Sequence, residues 1–294
     1  MNRYLPWLLA IAVFGAGAVA ILYEVGGNRP AAPAAGTGPQ GAPAQSPQPA
    51  TPRPQQPHHY PLTRPGQGQA SGKGTARQGT GGGHAKSSPL PPLAHSDAPL
   101  RNAFTSVLGK KPVERFLVPK RIVRHVVVTV DNLTRRQVPP RDNPVKPVPG
   151  RFEVTRRDGD LYIDRSNYSR YTPYVKLLDT LNVDALVDLY VRFYPLFQEQ
   201  YRKLGYPHAY FNDRVVEAID NLLAAPVVKG PVKLVQPRVM YKYADPDLEH
   251  LAAGQKILVR MGPKNEAQVK ARLRALRKAL LSHVADHSPK QQSP

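Results

Sequence analysis

Between residues 26 and 95 the chain offers almost nothing from which a folded core could be made. The stretch is dominated by Pro, Ala, Gly, Gln and Ser, as in Pro30 to Pro33, Pro47 to Pro49 and Gly81 to Gly83, and apolar periodicity is absent. Such residues supply too little apolar surface to offset the entropy lost on ordering. The stretch reads as a disordered tether, part polyproline-like and part flexible. As a coil, about 70 residues span roughly 40–50 Å end to end. A globular core must then come from the remaining C-terminal part of the 294 residues, a length suited to one ordinary domain.

The tether follows an uncharged apolar run, Leu5 to Tyr23, with Tyr4 and Trp7 at one end and Tyr23 at the other. A helix of about 20 such residues crosses a bilayer, and amphipathic aromatic rings favour its two interfaces. Residues 1–25 therefore read as a single-pass anchor in contact with the lipid bilayer through residues 5–23. Arg3 precedes the run and Glu24 follows it. By the positive-inside rule the N-terminus is cytoplasmic and the C-terminal domain periplasmic, at the inner (cytoplasmic) membrane. The rival reading is a cleaved signal peptide, because Ala18, Val19 and Ala20 form a small-x-small site. Either reading exports the domain.

Cysteine is absent, which removes disulfides, thiolate metal sites and thiol nucleophiles together. The formal net charge is +20, and residues 26–96 hold six Arg and Lys with no acid. Both the tether and the domain are thus basic, which favours an anionic partner: phospholipid headgroups, lipopolysaccharide, acidic cell-wall polymer or nucleic acid. Nucleic acid ranks last, because export removes it as the usual ligand.

Residues 96–284 carry globular patterning, and 285–294 read as a disordered tail. Ser96 and Asp97 supply a helix start, Leu100, Phe104, Val107 and Leu108 follow at helical spacing, and Gly109 closes the element. Pro112 and Pro119 read as first-turn prolines of two further helices. In the second, Ile122, Val126, Val130 and Leu133 share a stripe, although the β-branched run to Val130 also suits a strand. Asp158-Gly159 between Phe152–Val154 and Leu161–Ile163 is a hairpin signal. Tyr171, Val175 and Leu178 mark a helix ending near Asn182. Asp184 to Lys203 forms the next, with Pro195 kinking it. A third is capped by Asn212 and stopped by Pro226. Residues 227–243 read as short extended segments, Asp245-Pro246 starts another helix, and Pro263 starts the last, with Val269, Leu273, Leu276 and Leu280 on one stripe. The fold class is mainly α with a small β component (α+β).

Several motifs, taken together, resemble one family. They are Tyr194 to Gln198 (YPLFQ), Leu204 to Pro207 (LGYP), Phe211 to Val215 (FNDRV), Gly254 to Gly262 (GQKILVRMG) and Val130 to Leu133 (VDNL) with Arg170-Tyr171 after it. From about residue 97 to 281 the chain is similar to the domain of unknown function 3014 family of Gram-negative envelope proteins. The resemblance implies an apolar segment and a low-complexity stretch ahead of the domain, and it implies no activity and no site residues.

The residues themselves nominate candidates. Asn212, Asp213 and Arg214 form the densest polar cluster beside apolar sequence. They could bind a polar ligand at a helix N-terminus, or serve as a cap plus a structural ion pair. Lys256 and Arg260, four apart, could hold a carboxylate or phosphate, or form a solvated basic face. Glycine spacing around them is not that of a phosphate-binding loop. Asp131 and Asn132 beside Arg135 and Arg136 suggest a helix C-terminus complemented by cations. The eleven tyrosines from Tyr162 to Tyr243 could line a groove, or be half-buried core residues. Asp213, Glu217 and Asp220 at i, i+4 and i+7 could place carboxylates for glycoside hydrolysis, or line a wet helix face. His125, His208, His250 and His283 begin no metal-ligand pattern, and no nucleophile motif is present. The reading assigns no catalytic residue, no metal site and no cofactor. It makes the chain a membrane-anchored envelope protein whose domain binds or scaffolds another envelope component, a protein or an anionic cell-wall polymer. A cell-wall (peptidoglycan) hydrolase is the alternative.

Overall fold

The structure, a computed structural model, describes Tyr60, Leu62 and residues 89–138, 140–180 and 182–287. The expected anchor, most of the expected tether and residues 288–294 lie outside the described residues. Among the described residues no helix is long and apolar enough to cross a membrane. They form a mainly helical domain with one small antiparallel sheet.

Helices α1 (Asp97–Leu108) and α2 (Lys110–Phe116) lead into α3 (Ile122–Leu133). The hairpin β1 (Val154–Arg157) and β2 (Asp160–Ile163) follows. Then come α4 (Ser166–Asp179), α5 (Val183–Lys203) and α6 (Phe211–Leu223). Strands β3 (Lys233–Val235) and β4 (Lys242–Tyr243), α7 (Pro246–His250), α8 (Ala253–Met261) and α9 (Pro263–His287) complete the order. Helix α9 runs three residues into the segment expected to be tail.

Helix α3 decides the packing. Ten of its twelve residues are buried, so it has no wet face. An all-round apolar helix must be enclosed, and α3 is surrounded by α5, α6 and α8. Helix α9 closes the other side, against α4, α5, α6 and α8. Leu100, Phe104, Tyr171, Phe197 and Phe211 are among the largest fully buried side chains of this core, each contributing about 1.5–3 kcal/mol by burial. The tyrosines divide as core residues rather than groove lining: Tyr171, Tyr174, Tyr190, Tyr194, Tyr201 and Tyr243 are buried.

The sheet runs β1-β2-β3-β4, each pair antiparallel, with Val154 opposite Ile163 and Leu234 between Leu161 and Tyr243. Asp158 and Gly159 both have positive φ, the two-residue turn whose twist suits a hairpin. The sheet has its own small core of Phe152, Ile163, Val232, Leu234 and Tyr243, and Val259 of α8 joins it. Ile257, Leu258 and Met261 of the same helix face the main core, so α8 is the wall between the two.

Three local expectations are corrected. Pro119 does not open α3. The helix begins at Ile122, and the Asp97 carboxylate, from the start of α1, accepts from Arg121 N (2.8 Å) and Ile122 N (2.9 Å). A side chain distant in sequence thus caps the helix, which local pattern cannot reveal. Ser96 does not cap α1; its hydroxyl donates to Leu93 O instead. Asn212 does not cap α6, which begins one residue earlier, at Phe211.

His125, on α3, is buried, and its Nδ1 has no hydrogen-bond partner among the described residues. Burial lowers its pKa below the ordinary 6.5; Arg121 and Arg124 act in the same direction, and Asp142 and Asp97 oppose them. The folded state therefore holds His125 neutral while the unfolded chain protonates near pH 6.5. The stability it contributes is complete above that pH and is lost as pH falls below it. Melting temperature is expected to fall more steeply from pH 6.5 to 5 for the native chain than for His125→Leu; parallel curves would remove this assignment.

Candidate functional site

The polar residues that stand out in sequence fall into three separate clusters, each built around a different tertiary contact.

The first lies at the start of α6. Gln198 of α5 fixes the incoming loop: its Oε1 accepts from Tyr194 OH (2.8 Å) and Phe211 N (2.7 Å), and its Nε2 donates to Ala209 O (2.8 Å). Phe211 is fully buried against Tyr190, Phe197 and Tyr201, which sets the rotation of α6. That rotation presents Asn212 and Asp213 to a residue from far outside the domain. Tyr60 N donates to Asp213 Oδ1 at 2.7 Å, and Asn212 Nδ2 donates to Tyr60 O at 3.0 Å. Both main-chain groups of one residue are thus held by two adjacent side chains. Asn212 is 0% exposed, and its Oδ1 has no hydrogen-bond partner among the described residues. Leu62 packs against the main core, as do Leu90 and Leu93. Burial raises the pKa of both Tyr190 and Tyr194, so the aromatic wall behind this corner stays uncharged.

Arg214 turns the other way, to α3. Its Nε lies 3.1 Å from Asp131 Oδ1, its Nη2 donates to Asp131 O, and its Nη1 lies 2.6 Å from Glu217. Arg135 reaches the same Asp131 carboxylate at 2.8 Å and Tyr206 OH at 2.6 Å. Burial works against the Arg214 charge, yet the Glu217 and Asp131 carboxylates more than offset it and raise its pKa. Asp131 is therefore the acceptor of an α3–α6 brace.

The third cluster is on α8. Lys256 and Arg260 are both buried, which corrects the expectation of a solvated basic face. Lys256 Nζ lies 3.2 Å from Glu249 Oε1, and the other oxygen of Glu249 accepts from Tyr243 N at 3.1 Å. Tyr243 OH donates to Lys256 O at 2.9 Å, and the Arg260 guanidinium sits 5.3 Å from the Tyr243 ring centroid. Desolvation lowers the Lys256 pKa. These cations fasten α8 to β4 and α7; they are not brought together with Asn212 and Asp213.

The three carboxylates on one face of α6 are also engaged. Asp213 holds Tyr60, Glu217 pairs with Arg214, and Asp220 takes Arg277 in a two-pronged bond (2.5 and 3.1 Å). Among the described residues no group of His, Asp and Glu could hold a metal ion. Sequence reasoning missed Tyr60 and Leu62. The available signal was compositional: from Gly26 to Pro89 they are the only apolar or aromatic residues larger than Ala and Pro.

Fold and site together define a class: an α+β domain whose prominent polar side chains hold main chain and ion pairs. Within that class the family is shown. The model described as "Protein of unknown function (DUF3014)" matches residues 122–277, from the first residue of α3 into α9, and the chain belongs to that family. No curated protein and no solved structure matches it.

Proposed function

We propose that this chain is a membrane-anchored envelope protein whose helical domain is a binding module for another envelope component, a protein in preference to an anionic polymer. One observation carries the choice: Asn212 and Asp213 grip the N–H and C=O of a residue outside the domain, the chemistry of holding an extended polypeptide. The cations that would have made a polymer cradle support it from the other side. Lys256 and Arg214 are committed to carboxylates, and Arg260 is buried over Tyr243. The anchor at residues 5–23 and the basic tether place the module at a distance from the inner membrane, on its periplasmic side.

The test uses the full chain in cells. A photo-crosslinking residue at Tyr210, exposed and immediately before α6, is expected to capture an envelope protein, and Asp213→Ala should abolish the capture. A C-terminal reporter should be active only when it is of the periplasmic kind. Capture unaffected by Asp213→Ala, or a reporter active only in its cytoplasmic form, would overturn the proposal. Sedimentation with cell-wall sacculi that moderate salt abolishes would shift the reading to a polymer. Muropeptide release by the purified chain, lost in Asp213→Asn or Glu217→Gln, would establish the hydrolase instead.

A further inference from the structure

We infer that the Asn212–Asp213 pair is a clamp for an extended polypeptide segment, and that Tyr60 and Leu62 are its resident ligand, bound in cis. The clamp stands on its own geometry; what displaces the resident segment rests on the binding-module reading above.

Four observations meet here. First, the recognition is of main chain by side chain. Asp213 accepts from Tyr60 N and Asn212 donates to Tyr60 O, so the pair reads one residue's two backbone groups and requires an N–H, which excludes proline at that position. Second, the residues around the clamp supply selectivity. Leu62 fills apolar surface of the main core. Tyr60 itself is half-buried in this seat. The ligand class is therefore an aromatic residue with a large apolar one two positions on. Third, Tyr60 and Leu62 are the only large apolar residues between Gly26 and Pro89. A plain spacer has no use for such an island, whereas a short docking motif consists of one. Fourth, Asn212 is wholly enclosed, and its amide donates to Tyr60 O. A buried polar group without its partner is costly, so a vacated clamp favours a replacement segment.

The full chain in detergent tests this with a labelled peptide of residues 56–65. Tyr60→Ala/Leu62→Ala vacates the clamp and should bind the peptide. The native chain should bind it about tenfold or more weakly, since the tethered ligand competes at an effective concentration near millimolar. Adding Asp213→Ala to the vacated chain should abolish binding, as should Pro in place of the peptide's Tyr. Equal binding to native and vacated chains would overturn the inference, as would no binding to a vacated chain that melts like the native one. Hydrogen exchange is an independent readout: the Tyr60 amide should be slowed in the native chain and released by Asp213→Ala. A Tyr60 amide that exchanges freely in the native chain removes the cis ligand. Peptide binding without any partner captured at Tyr210 keeps the clamp and sinks the proposed function. Capture without peptide binding keeps that function and sinks the clamp.

Discussion

Replacing Lys270 by Ala is expected to destabilise the domain by about 3–5 kcal/mol, the usual cost of stripping one partner from a buried ion pair. Lys270 and Glu266 are one turn apart on α9, 2.6 Å from each other, with side chains 7% and 1% exposed. The ammonium also donates to Ala225 O at 2.5 Å, just past the end of α6. The alanine variant leaves the enclosed Glu266 carboxylate without its cation and an α6 exit carbonyl without its donor. For a domain of this size the loss corresponds to roughly 6–20 °C in melting temperature. The double change Lys270→Met/Glu266→Leu removes both charges and keeps volume. It should recover most of that loss, because a buried pair replaced by packed apolar groups is often neutral. Denaturant titration of the three chains decides it. A single variant within about 1 kcal/mol of the native chain, or a double variant no better than the single, contradicts the role given to this pair.

Lys270 also shows where sequence reading reached its limit. Its neighbours Val269, Leu273, Leu276 and Leu280 were legible as the buried stripe of α9, and they are buried. The same spacing leaves Lys270 off that stripe, with Arg272, Arg274, Arg277 and Lys278. Periodicity reports chemical type and not the partner that a tertiary contact supplies, so a lysine that meets Glu266 and a carbonyl is invisible to it. The solvated-face alternative for Lys256 and Arg260 on α8 fails for the same reason: both faces of that helix are covered, one by the main core and one by the sheet. Local signals did well where local chemistry decides. Asp158-Gly159 marked the β1–β2 turn, and Gly109 the end of α1. Asp245 caps α7 ahead of Pro246, as the sequence suggested. The ambiguous β-branched run from Ile122 is helix, because a segment enclosed by α5, α6 and α8 satisfies its main chain internally. At the candidate site, Asn212 and Asp213 were legible as polar residues at a helix start. Their partner, some 150 residues earlier, was not.

The second large effect concerns three glycines and separates backbone strain from steric overlap. Gly262, which ends α8 and precedes α9, has φ 80° and ψ 158°, a region open essentially to glycine alone. A Cβ there would also lie 2.6 Å from two atoms of the Tyr168 ring. That ring cannot retreat freely, because Tyr168 lies in the first turn of α4 and its carbonyl accepts from Asn265 Nδ2 at 2.8 Å. Gly205 carries strain without overlap: φ is 114° and nothing lies within 4 Å of a Cβ. Gly254 carries overlap without strain, since it is helical and a Cβ would meet Leu222 Cδ2 at 2.6 Å and Leu133 O at 3.2 Å. Gly205→Ala should cost about 1–3 kcal/mol from strain. Gly254→Ala should cost about 1–3 kcal/mol from overpacking, because the Leu133 carbonyl is part of α3 and cannot yield as the Leu222 methyl can. Gly262→Ala combines both and should cost about 2–6 kcal/mol, enough to threaten a fold whose whole stability is about 5–15 kcal/mol. Tyr168→Ala relieves the overlap but not the strain. In the Tyr168→Ala background the added penalty of Gly262→Ala should therefore shrink to that of Gly205→Ala. If that penalty keeps its full size without the Tyr168 ring, the close approach of α4 to the α8–α9 junction is not what holds glycine at position 262.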